Sequence, residues 1–67
     1  MTESAALTDN KYRLLDMLEC ARRELAIRKS AYPRWVAGGR MAATTAEREI
    51  LLMGAIVDHL EAELTRG

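Results

Sequence analysis

The chain has 67 residues, with ten basic and ten acidic side chains, one cysteine and one histidine. That length holds at most one domain, whose core is marginal unless a metal, disulfides or a second subunit adds to it. One cysteine excludes an internal disulfide, the lack of a Cys/His cluster excludes a zinc frame, and balanced charge excludes a global field toward nucleic acid or anionic membrane.

Charge is nonetheless unevenly spread. Residues 1–19 carry a net of about −2, the segment from Arg22 to Arg40 about +5, and the rest about −3. The amino terminus has neither the basic nor the apolar region of a signal peptide, and the apolar run from Ile50 to Val57 is far too short to span a membrane. Together with the single cysteine, these features predict a cytoplasmic protein with no membrane association.

Residues 1–7 are mostly small or polar and are expected to be flexible, leaving 8–67 as one helical domain. A first helix is predicted over about 9–37. Thr8 is placed to cap it, Asp9 to complement its dipole, and Leu7 to staple onto Tyr12. Leu14, Leu18, Ala21 and Leu25 then recur at spacings of four and three, with Tyr32 rejoining the series after Arg28. Lys11 and Arg28 interrupt this stripe near its ends, where their stems can lie along the seam while their charges reach water. Leu15, Met17 and Ile27 widen the apolar face.

Pro33 has no amide hydrogen and restricts Tyr32, so the first helix either ends near Ala31 or bends at Pro33 and continues through Ala37. The bent continuation is preferred because it keeps Trp35 and Val36 one turn beyond Ala31 and Tyr32. Gly38 and Gly39 stop the helix, glycine accepting the left-handed conformation at little cost. A turn over 38–43 follows.

The second helix is predicted over about 44–65. Thr44 and Glu47 have the spacing of a capping box, and Ala46, Ile50, Met53, Val57, Leu60 and Leu64 alternate four and three along the arm. Leu51, Leu52, Ala55 and Ile56 fall beside that stripe, and Gly54 within it suggests a close approach by a neighbouring helix.

Two arms joined by so short a turn form an antiparallel hairpin. One hairpin buries one stripe from each arm, which leaves too much apolar surface on the second. The predicted fold is therefore all-α: an antiparallel two-helix hairpin with a Pro-kinked, Gly-terminated turn, assembling as a homo-oligomer, most simply a dimeric four-helix bundle. Ile50, Leu52, Met53, Ile56, Val57 and Leu60 are the candidate interface residues.

Trp35, Val36, Gly39, Met41, Ala46, Glu49 and Ile50 resemble the layout of SHOCT-type short helical domains, in which a helix ends at glycine, a hydrophobic residue two positions on plugs the turn, and an amphipathic helix follows. The longer run through Tyr32–Val36, Gly39–Met41 and Glu47–Ile50 also resembles small helical-hairpin proteins encoded in proteobacterial genomes and temperate phages. The SHOCT-like part covers about Tyr32 to Leu60 and the longer likeness about Ala21 to Leu60, and the chain departs from the SHOCT layout at Ala42, where Thr or Ser usually follows the plug. It implies oligomerisation or partner docking and no activity.

Tyr32, Arg34, Trp35 and Arg40 are the candidate docking residues at the turn, aromatics beside arginines being typical of binding hot spots. The competing structural role is the packed end of the hairpin with a solvated basic back. A third reading uses the basic face formed by Arg22, Arg23, Arg28, Lys29, Arg34 and Arg40 along a nucleic-acid backbone. His59 with Asp58 and Glu63 supplies too few ligands for a metal site, and Cys20 reads as a small, partly buried side chain. No cofactor fingerprint is present. An enzyme needs a nucleophile with its base, a carboxylate pair in a cleft, or a metal, and two helices form no cleft. The sequence thus predicts a non-enzymatic interaction protein, a regulator of the phage or prophage type docking on another protein, with a nucleic-acid accessory role as the alternative.

Overall fold

The computed structural model describes residues 10–66, with side chains from Arg13 onward. Helix α1 runs over Asn10–Ala37 and helix α2 over Ala43–Arg66. The two pack against each other, and among the described residues there is no strand. Contacts pairing Arg22 with Glu61 and Arg28 with Glu49 run in opposite directions along the two sequences, so the helices are antiparallel. The expected cap at Thr8 and Asp9, the Leu7–Tyr12 staple, the placement of the Lys11 side chain and the flexibility of residues 1–7 all lie outside the described residues.

The seam follows the predicted spacing. Leu18 and Ala21 from α1 and Met53 and Val57 from α2 form the buried cluster, with Leu25, Leu60 and Leu64 packed against it. Ala31 and Ala46 are also buried. Their methyl side chains suit a close approach of the helices as they enter the turn.

Helix α1 passes through Pro33 and continues to Ala37. Pro33 cannot donate to the Lys29 carbonyl, but both residues are exposed, so water can take up that oxygen. The helix then closes in a Schellman arrangement. The Arg40 amide donates to the Trp35 carbonyl at 2.8 Å, and the Gly39 amide donates to the Val36 carbonyl at 3.1 Å. Gly39 occupies the left-handed region with φ of 78°. Gly38 has no such requirement; its amide donates to the Arg34 carbonyl at 3.0 Å in ordinary helical fashion.

Two local expectations are corrected. Helix α2 starts at Ala43, and the Ala46 amide donates to the Ala42 carbonyl at 3.0 Å, so Ala42 holds the capping position and Thr44 lies inside the first turn. The alanine side chain has no oxygen to cap with, and no acidic residue lies in the first turn of α2. Gly54 does not mark a close approach within the hairpin, since a Cβ there would meet nothing within 4 Å.

Gly39 and Gly54 therefore respond differently to alanine. Gly39→Ala is expected to cost about 1 kcal/mol by forcing a side chain into left-handed geometry, whereas Gly54→Ala is expected to stabilise by about 1 kcal/mol through helix propensity. Thermal and urea denaturation of the two variants read the opposite signs directly.

Candidate interaction surfaces

The molecule is thin. Its extents of 46 × 27 × 13 Å make it about one helix thick, so each helix has one neighbour and an open back. Three polar or apolar features follow from that geometry: a clamp at the seam, an apolar back on α2, and a cationic aromatic cleft at the turn.

The clamp centres on Arg28. Its Nε donates to the Glu24 carboxylate at 3.1 Å, and its Nη1 donates to the Glu49 carbonyl oxygen at 2.9 Å and to the Glu49 carboxylate at 3.4 Å. The guanidinium also lies 5.9 Å from the centre of the Tyr32 ring, which stands 5.3 Å from the Trp35 ring at an interplanar angle of 32°. With a side chain only 21% exposed, Arg28 sits in the stripe itself and is not extended to water as its sequence position suggested. The planar fork allows one residue to bond a neighbour one turn back and the facing helix together. A second clip, Arg22 to Glu61 at 2.5 Å, joins the helices nearer the other end, and Arg66 contacts Glu63 near the end of α2.

The apolar back of α2 carries Leu51, Leu52 and Ile56, which are 66%, 45% and 48% exposed. Of the six residues expected at an oligomer interface, Met53 and Val57 are buried in the hairpin's own seam, and Ile50 and Leu60 are half-buried. Leu52 and Ile56 remain open, joined by Leu51. An open depression of about 350 Å³ lies on the same back, lined by Thr44, Glu47, Arg48, Leu51 and Leu52. On α1, Leu15, Met17 and Ile27 are exposed as well.

The turn holds the remaining feature. Arg34, Trp35, Gly38 and Arg40 line an open depression of about 430 Å³, where sequence reasoning expected no cleft. Trp35 is 39% exposed and Tyr32 half-buried, so the aromatic pair is only partly consumed by packing. Among the described residues, Arg34 and Arg40 enter no ion pair, while Arg22 and Arg28 of the same basic segment are paired with glutamates.

Other candidate groups do not converge. Cys20, expected to be partly buried, is instead exposed, as is His59, and among the described residues no three His, Cys, Asp or Glu side chains are grouped to hold a metal ion. Also among these residues, no helix is long and apolar enough to cross a membrane, and no buried side-chain polar atom lacks a partner. No protein-family model, curated protein or solved structure matches the chain.

Removing the Arg28 side chain tests the clamp. Arg28→Ala is expected to lower stability by about 1–2 kcal/mol, the partial exposure of Glu24 and Glu49 keeping the loss modest. Arg28→Lys should recover little of it, because an ammonium has no rigid fork to span both helices. A denaturation midpoint unchanged in Arg28→Ala would show that apolar burial alone holds the turn end closed.

Proposed function

We propose that the protein is a small, non-enzymatic interaction module that self-associates through the back of α2, with the turn free to dock on a protein partner. The observation that carries this reading is the exposure of Leu51, Leu52 and Ile56 side by side on one helix, with no third element among the described residues to cover them. Three large aliphatic side chains in one place supply an apolar patch of a few hundred Å², the size at which exposed patches on small proteins become interaction sites. A second copy is the simplest cover: two hairpins back to back give a four-helix bundle with a closed two-fold interface. The SHOCT-type resemblance, which implies oligomerisation or docking, points the same way. On this reading the chain acts as a cytoplasmic regulator of the phage or prophage type, docking on another protein.

The nucleic-acid alternative has less support. Of the six cations between Arg22 and Arg40, Arg22 and Arg28 are engaged by Glu61, Glu24 and Glu49, which interrupts the basic track with carboxylates. Backbone binding gains from an unbroken row of released counterions.

Light scattering after size exclusion, across a concentration series, reads the association. The expected mass is twice the 7.5 kDa of one chain, and a monomer at every concentration overturns the proposal. Two substitutions separate interface from core. Ile56→Asp should give a helical monomer, since that carboxylate reaches water once the copies part, whereas Val57→Asp should unfold the hairpin because it strands a charge in the seam. Circular dichroism on the same samples distinguishes the two outcomes.

A further inference from the structure

The depression at the turn has a chemistry of its own. Its two arginines, Arg34 and Arg40, stand on either side of the Schellman closure, and Trp35 forms its apolar wall. The carbonyls of Arg34, Trp35 and Val36, which would otherwise present the negative end of α1, are bonded to the amides of Gly38, Arg40 and Gly39. No carboxylate is among the lining residues, and Glu24 and Glu49 are both held by Arg28. What remains is a cationic cleft with one aromatic wall and no carboxylate of its own.

Gly38 makes up the rest of the lining, and its lack of a side chain is not a backbone requirement. The left-handed turn belongs to Gly39, while Gly38 has no left-handed φ. A Cβ at Gly38 would stand 3.4 Å from the Arg34 carbonyl oxygen and 3.9 Å from that of Trp35, at the near edge of ordinary contact. The second glycine thus keeps the lining bare at a position where a side chain is sterically admissible.

Building on the reading of the protein as an interaction module, we infer that this cleft binds an acidic linear segment of a partner protein, a carboxylate engaging Arg34 and Arg40 and an adjacent apolar side chain lying on Trp35. Guanidinium groups hold carboxylates through paired, charge-assisted hydrogen bonds, and a partly exposed tryptophan is the commonest kind of anchor beside them. A cleft of about 430 Å³ accommodates a residue or two of an extended chain and not a track of phosphates. Glu47, on the first part of α2, disfavours a polyanion that continues along that helix.

A display library of random short peptides, selected in parallel on the wild-type protein and on the Arg34→Gln/Arg40→Gln double variant, tests the inference. The wild type is expected to enrich peptides with Asp or Glu beside an apolar residue, and the double variant is expected to lose that enrichment. Trp35, the sole tryptophan, reports binding of a selected peptide by its emission. Affinity should fall about tenfold or more in the double variant, in Gly38→Leu, which fills the cleft, and for a peptide whose acids are replaced by their amides. Circular dichroism establishes that each variant is folded. No enrichment, enrichment of peptides without acids, an undiminished response in the double variant, or tighter binding of an oligothymidylate than of the peptide each overturns it. Solution mass measured on the same samples separates this inference from the self-association on which it builds. Loss of association with the peptide response intact fails only the dimer, and wild-type mass without a peptide response fails only the cleft.

Discussion

A helix with one neighbour can bury one stripe, and that constraint governs this molecule. With a thickness of 13 Å there is no second layer, so the buried set is confined to Leu18, Ala21, Ala31, Ala46, Met53 and Val57. Three of these six are alanines, and none of the larger three is sealed from solvent by more than one facing helix. Among the described residues, every other large apolar side chain is at least partly in contact with water. The exposure of these apolar side chains is therefore a property of the architecture and not of any one residue.

Polar bonding between the helices takes up part of what the core does not supply. Arg28 occupies a stripe position near the turn where an aliphatic residue would otherwise pack, and it bonds Glu24 on its own helix and both the backbone and side chain of Glu49 on the other. The same guanidinium lies against Tyr32, and Tyr32 against Trp35, so the clamp also supports the aromatic pair at the turn. A partly exposed charge pair contributes modestly to stability, but its directional bonds fix which turns of the two helices face each other. Apolar contacts alone are less demanding about register.

The turn combines two roles that lie on adjacent glycines. Gly39 adopts the left-handed conformation that reverses the chain, and Gly38 leaves open the surface between Arg34 and Arg40. The back of α2 and the turn cleft are separate surfaces, one apolar and one cationic with an aromatic wall. A self-associated hairpin can thus keep its turn available to a partner of opposite charge.

The helical class, the two arms and the seam were legible in the sequence, because the four-three recurrence of Leu14, Leu18, Ala21 and Leu25, and of Ala46 to Leu64, is itself the geometry of a buried stripe. Spacing could not apportion the apolar residues of α2 between the hairpin seam and its back, since burial depends on where the other helix lies. It placed Met53 and Ile56 in one interface, while the packed hairpin consumes the first and exposes the second. Nor did composition reveal that Ala42 would stand at the cap, that Gly54 would face open space, or that Arg28 would reach across to Glu49. The sequence by itself determined the elements and the faces they bury, because those depend on local conformation and periodicity. Only the tertiary structure decided which side chains meet across the seam and which remain open, because that is set by the register and separation of two helices.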